Sequence, residues 1–397
     1  MTPRRLFLLD AYALIYRAYY ALLGNPRMTT KGFNTSAVFG FVNTLDEVLR
    51  KENPTHIAVC FDPSGPTFRH EEFPEYKAQR EKQPEDITAS VPYIKRILGA
   101  YRIPVVEVPG YEADDVIGTL AHRARGEGYE VYMMTPDKDY GQLVADGVYM
   151  YRPSLRGQGF EIRGPEQICE RYGISSPRQM IDLLALEGDA SDNIPGCPGV
   201  GEKTAVKLIS EFGSVENLLA STASLKGALK KKVEENEEKI RLSKHLATII
   251  TDVPVDLAID SLERRDINVD ELIEIYRELE FKSFIARLNA RISADNASLP
   301  EAAPAVDASG MGSLFDAPAP EPVSAAPDIE IATLDTERAI AEAVEHACTL
   351  ERVGISVEAD GEDAMTAAIS GIAIAFDGDT ASWIPLSITA TNRAEVA

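Results

Sequence analysis

Three times in the first 140 residues, an apolar run rich in strand-forming residues closes on an aspartate. "RLFLLD" ends at Asp10, "HIAVCFD" at Asp62 and "YEVYMMTPD" at Asp137, with Asp139 two residues later. Each run gives way to a helical pattern, the first being "AYALIYRAYYALLG". Short apolar runs alternating with helices predict a parallel, doubly wound sheet. Ligands of such sheets gather beyond the carboxyl ends of the strands. All three terminal acids belong to that edge, so the fold alone is expected to draw carboxylates together.

A chain of 397 residues is long enough for two or more domains, each with its own core. No stretch approaches the roughly 20 apolar residues that span a bilayer. The apolar start carries Asp10 and Arg17 and lacks a small-residue cleavage site, so it predicts a core strand entering a helix, not a signal peptide. Cys60, Cys169, Cys197 and Cys348 are scattered without a C-x-x-C pair, which fits reduced thiols in a cytoplasm and offers no zinc site. The net charge of −23 speaks against a polyanionic partner, but its distribution does not. Residues 291–397 hold 19 Asp/Glu against 4 Lys/Arg, a net of −15, whereas residues 1–290 hold 44 against 36, a net of −8. A local basic track is compatible with that balance.

Three stretches carry chemistry. "PGYEADDVIGTL" crowds Glu112, Asp114 and Asp115 ahead of an apolar run. Like charges 4 Å apart repel by roughly 4 kcal/mol near a protein surface. A helix N-terminus offsets part of this, and a bound cation offsets far more. "LEGDASDNIPGCPGVGEKTA" sets Asp189 and Asp192 in a loop, then Gly199 and Gly201 before a helix opening with Glu202 and Lys203. A phosphate-binding P-loop needs Lys directly after its last Gly, and Glu202 intervenes. A helix-hairpin-helix fits better, its glycine turn aiming amides at one backbone phosphate. "TFRHEEFPEYKAQREKQPED" alternates Arg69, Lys77 and Arg80 with Phe68, Phe73 and Tyr76. Taken alone, it is equally an amphipathic, solvated helix. The basic run "LKGALKKKVEENEEK" (225–239) either lines a duplex or solvates a helix.

From about residue 165 the pattern turns helical, punctuated by Gly and Pro, through "VDELIEIYRELEFKSFIARL". Residues 291–327 are rich in Ala, Pro, Ser and Asp, the composition of a flexible linker. Beyond it, "TLDTERAIAEAVEHA" predicts a capped helix, "RVGISVEA" a strand, and "ISGIAIAF" and "TASWIPL" hairpin strands.

Together "GDASDNIPGCPGVGEKTA", "GYEADDVIGTLA", "TPDKDYGQLV" and "FDPSGPTFRHEEFPEYKAQR" closely resemble the 5′–3′ exonuclease, or flap-endonuclease, superfamily, in the form found at the front of bacterial DNA polymerase I. The resemblance covers roughly residues 4–290. It implies a PIN-like α/β core with a helical arch (1–175), a helix-hairpin-helix subdomain (176–290), the linker (291–327) and a partial RNase H-like, 3′–5′ exonuclease-like segment (328–397). It implies nine metal-binding acids: Asp10, Asp62, Glu112, Asp114, Asp115, Asp137, Asp139, Asp189 and Asp192. Setting these aside leaves 35 acids against 36 bases in residues 1–290. The implied cofactor is Mg²⁺, two or more ions, with Mn²⁺ as a substitute, and K⁺ is a further expectation at the hairpin. Two such ions about 4 Å apart supply a hydroxide and steady the leaving oxygen of a phosphodiester displacement. Lys77 and Arg80 are implied at the scissile phosphate and Tyr76 on an unpaired base. Arg17, Arg69, Gly199, Gly201 and Lys203 are implied at DNA.

The implied activity is structure-selective, sequence-independent cleavage of 5′ flaps, nicks and RNA primers by a cytoplasmic, nucleoid-associated monomer with no membrane partner. The chain is then expected to be the front of a longer polymerase. In the C-terminal segment, Ser356 stands where the 3′–5′ exonuclease pattern has an Asp, with Glu358 retained. Ser313-Leu314-Phe315, behind Met311 instead of Gln, resembles the end of peptides that bind the bacterial sliding clamp; the alternative is an apolar bead in the linker. Two rival functions stay open: a PIN-like metal-dependent ribonuclease and a catalytically silent DNA-binding module.

Overall fold

The computed structural model describes residues 4–153 and 160–297, with further segments between 330 and 385. Strand β1 (Arg5–Asp10) runs directly into α1 (Ala11–Ala21), because Asp10 ends the strand and caps the helix. There follow α2 (Ser36–Lys51), β2 (His56–Cys60), α3 (Phe68–Glu72), α4 (Glu85–Ala100) and β3 (Val105–Val106). Next come α5 (Ala113–Gly126), β4 (Glu130–Met134), β5 (Val148–Pro153) and β6 (Phe160–Arg163). The sheet order is β3-β2-β1-β4-β5-β6, parallel throughout except for β6.

Register aligns the acidic ends. Asp10 lies opposite Cys60, two residues short of Asp62, and Leu9 lies opposite Met134, three short of Asp137. Alternation along β1 feeds two cores. Leu6 and Leu8 join one with Val116, Ile117 and Leu120 of α5; Phe7 and Leu9 join the other with Ile15, Phe41 and Ile94. Helices therefore cover both faces, as a doubly wound sheet requires.

The remaining helices are α6 (Pro165–Tyr172), α7 (Met180–Glu187), α8 (Glu202–Phe212), α9 (Val215–Ala220), α10 (Gly227–Glu235), α11 (Glu237–Ala247), α12 (Val269–Glu278) and α13 (Lys282–Ala297). Those from α7 to α10 extend the core under α5, whereas Leu272, Ile275 and Tyr276 of α12 close the opposite face. The described residues up to Ala297 thus form one compact unit. Between α3 and α4 the amphipathic pattern does not become a continuous helix. Phe73 is extended (φ −138°, ψ 92°) because Pro74 follows it, and turns occupy the next residues.

The second unit is a four-stranded sheet beside one helix: β7 (Glu330–Thr333), α14 (Glu337–Thr349), β8 (Gly354–Asp360), β9 (Ala368–Ala375) and β10 (Thr380–Pro385), in the order β7-β10-β9-β8. Thr336 caps α14 by accepting the Ala339 N–H at 3.3 Å. Ser356 is exposed on β8. The clamp-like residues 311–315 lie outside the described residues. Among the described residues, no helix is long and apolar enough to cross a membrane.

Candidate active site

Acids from five separate elements meet at the carboxyl edge of the larger sheet. Asp10 accepts the Ala13 N–H (3.2 Å), the Thr135 hydroxyl (3.1 Å) and the Tyr140 hydroxyl (3.0 Å). Even so, burial and the repulsion of Asp62 push its carboxyl up to about 7. Asp62 accepts the Ala113 N–H at 2.9 Å, stitching the end of β2 to the first turn of α5. That turn carries the crowded acids, whose fates diverge. Glu112 accepts from Tyr76 and Lys77, each at 2.8 Å. Burial would raise its carboxyl, but Lys77 and Arg69 outweigh burial and hold it below the ordinary range. For Asp114 the balance is reversed: burial, then the Asp115 charge, outweigh Arg69 and Lys77 and push it well above that range.

Asp137 and Asp139 sit on the turn after β4, where Asp137 accepts the Asp139 N–H at 3.0 Å. Burial, then Asp137 and Asp189, raise Asp139 strongly, and its Oδ1 is buried without a hydrogen-bond partner. Asp189 and Asp192 lie on the loop after α7, which Asp189 and Ile194 close with reciprocal backbone bonds of 3.0 and 2.8 Å. Asp189 accepts the Ser191 N–H at 2.7 Å and faces Lys138 at 3.6 Å.

The 73–83 segment lies against this loop. Lys77, at φ +56°, donates its N–H to the Asp192 carbonyl at 2.9 Å. Its ammonium bridges Glu112 (2.8 Å) and Asp192 (3.6 Å), and Arg80 also pairs with Asp192. As the side chains stand, no three acids among the described residues converge on one point closely enough to hold an ion. The donors nonetheless suit a hard divalent cation: all are carboxylate oxygens, several are raised by burial and by one another, and one is orphaned.

Three expected site residues are placed otherwise. Asp115, fully buried, binds Arg69 bidentately at 2.7 and 2.8 Å and accepts the Ile250 N–H at 2.8 Å, so its oxygens are committed. Arg69 is 1% exposed and also donates to the carbonyls of Leu246 and Thr248, both at 2.9 Å; it is an internal strut, not a DNA-facing surface. Tyr76 is 3% exposed, its hydroxyl spent on Glu112 and Asp192 (3.1 Å), which leaves no free face for a base in this arrangement. Arg17 stands exposed on α1.

The hairpin between α7 and α8 follows from its glycines. Gly188 (φ +75°) and Gly196 (φ +60°) pack backbone to backbone, where a Cβ on Gly188 would lie 2.5 Å from the Ile194 carbonyl. Gly199 (φ +79°) turns the chain and Gly201 caps α8 in extended backbone without a side-chain cap. Lys203 is exposed in the first helical turn. The Gly199 carbonyl accepts Lys232 Nζ at 3.1 Å. Sequence reasoning passed over Thr135, Tyr140, Gly188, Gly196 and Lys232. The first two bracket the acids in "TPDKDY", a visible signal, whereas Lys232 was submerged in a charge run.

Residues 5–173 match the 5′–3′ exonuclease N-terminal resolvase-like domain, and residues 175–270 the 5′–3′ exonuclease C-terminal SAM fold. The chain is 44% identical over 291 residues to DNA polymerase I of Bacillus subtilis (strain 168), covering 72% of this chain and 33% of that protein. It is 42% identical over 298 residues to DNA polymerase I of Bacillus caldotenax, covering 75% and 34%. It therefore spans about a third of the length of these relatives. Its fold is similar to that of T5 5′-exonuclease with zinc bound (TM-score 0.53, 23% identity, 70% of this chain and 98% of that one). It is also similar to a substituted bacteriophage T5 flap endonuclease in a pseudo-enzyme–product complex with DNA and metal ions (TM-score 0.52, 23% identity, 70% and 100%).

Proposed function

Residues 5–270 belong to the 5′–3′ exonuclease family, and from that premise we propose that this chain hydrolyses DNA phosphodiester bonds at 5′ flaps, nicks and RNA primers. The observation that carries the reading is the gathering, at one sheet edge, of carboxylates raised by burial and mutual repulsion, with Lys77 and Arg80 directly upon their neighbours Glu112 and Asp192.

Asp10, Asp62, Glu112, Asp114, Asp137, Asp139, Asp189 and Asp192 would hold divalent metal, directly or through water; magnesium is the proposed ion and manganese its substitute. When held by these residues, such ions would lower the pKa of a water and offer positive charge to the leaving oxygen. Thr135 and Tyr140 orient Asp10, and Ser191 orients Asp189, so that the oxygens are fixed before substrate arrives. Lys77 and Arg80, already at the acids, are positioned to neutralise the scissile phosphate once its own charge competes for them. The hairpin at Gly199 and Gly201 grips duplex backbone without reading sequence. It favours this reading over a single-strand ribonuclease with the same acidic pocket.

The relatives support a wider proposal, that the chain is the front of a DNA polymerase I; work in replication and repair, in the cytoplasm and as a monomer, is proposed with it. Its C-terminal unit would begin a 3′–5′ exonuclease-like domain lacking one metal ligand at Ser356. Cleavage of a labelled 5′-flap duplex, in Mg²⁺ and in EDTA beside single-stranded RNA, tests the proposal. Preference for the RNA, or full activity in EDTA, would overturn it.

A further inference from the structure

The basic run 230–232 is not uniform. Lys230 and Lys231 each face a glutamate one turn on, Glu234 at 3.7 Å and Glu235 at 3.6 Å, as charges solvating a helix do. Lys232 has no carboxylate partner among the described residues; it reaches 33 residues back in sequence to the Gly199 carbonyl at 3.1 Å. The contact is built from both sides. A Cβ on Gly199 would collide with the ammonium and lie 3.2 Å from Cε, so a side chain there would displace the lysine's end. The Lys232 carbonyl receives Cys197 Sγ (3.7 Å), a contact between α10 and the hairpin, while Asn236 Nδ2 (2.8 Å) bonds it from the end of α10.

An ammonium has three N–H donors, and a single carbonyl uses one. Two residues on, Gly201 begins α8 with no side-chain cap, and nothing lies within 4 Å of where its Cβ would be. The carbonyl that tethers the cation is thus two residues in sequence from a helix start without a side-chain cap, whose amides attract an anion.

We propose that Lys232 is a positioning residue for duplex DNA: its ammonium fixes the Gly199 peptide and gives its remaining donors to the backbone phosphate seated on the hairpin. This rests on the reading that the chain binds DNA.

The test is equilibrium binding of a labelled 5′-flap duplex by the full chain across a salt series. It compares wild type, Lys232→Met and Lys232→Arg, with melting temperatures and single-turnover cleavage alongside. Lys232→Met should bind more weakly, with the slope of log K against log salt shallower by about 0.9, the loss of one phosphate contact. Its KM should rise by a larger factor than kcat falls, and Lys232→Arg should retain the slope. A Lys232→Met protein with wild-type melting and wild-type slope would overturn the proposal. A wild type that binds no duplex would instead defeat the DNA reading.

Discussion

The acid cleft at the sheet edge and the glycine hairpin before α8 face the same proposed substrate with opposite electrostatic designs. In the cleft, carboxylates from residues 10 to 192 gather at one edge, and burial and mutual repulsion raise Asp10, Asp114 and Asp139 above their ordinary range. The hairpin spends almost no side-chain charge. Three glycines at positive φ (188, 196 and 199) shape it, and one lysine from another helix seats its carbonyl. The cleft is a crowded acidic site that a cation would relieve, on the proposed function; the hairpin is held by its own backbone and one lysine. One is suited to chemistry and the other to grip, and each can be broken without the other.

The largest effect is expected where the cleft loses a ligand. Asp139→Asn or Asp189→Ala should reduce single-turnover cleavage by several orders of magnitude while flap binding in EDTA persists. Equal loss of both would erase the division of labour. Lys77→Ala should likewise lower the rate far more than the affinity, because its charge is needed most in the transition state.

Arg69→Ala should cost about 3–5 kcal/mol in chemical denaturation, since it strands the buried Asp115 without its partner. A loss under about 1 kcal/mol, the range of an exposed ion pair, would show that Arg69 is no strut.

The metal-free cleft should also leave a signature in pH. Asp10 binds its proton more tightly folded than unfolded, with a carboxyl moved from 3.8 to about 7. Its stabilising contribution is complete below pH 3.8 and is lost as pH rises through about 7, by up to about 4 kcal/mol. Asp10→Asn should flatten that decline in EDTA, as should Mg²⁺ with the wild type. Denaturant midpoints between pH 4 and 8 measure it.

Gly199→Ala should have the smallest effect, about 1 kcal/mol of stability for a side chain in left-handed backbone, together with weaker duplex binding as Lys232 is pushed off its carbonyl. Turnover of bound substrate should change little.

Much of the fold was legible because its signals are local. Apolar runs ending on Asp10, Asp62 and Asp137 specify strands whose ends share an edge, since parallel pairing leaves no other arrangement. The hairpin is contiguous, so spacing alone distinguished it from a P-loop. The arch segment was less legible, because Pro74 ends α3 after five residues while the charge pattern runs on.

What the sequence by itself determined is the doubly wound sheet, the placing of carboxylates at its edge and the glycine turn, for periodicity and contiguous motifs need no distant partner. Only the tertiary structure decided how adjacent, identical residues divide their roles. Asp114 and Asp115 are neighbours in sequence but point about 100° apart around α5. One therefore faces the cleft, and the other meets an arginine 46 residues away. The burial of Tyr76 and the reach of Lys232 to Gly199 are likewise long-range. Such contacts depend on which surfaces the folded chain brings together, and no local pattern encodes that.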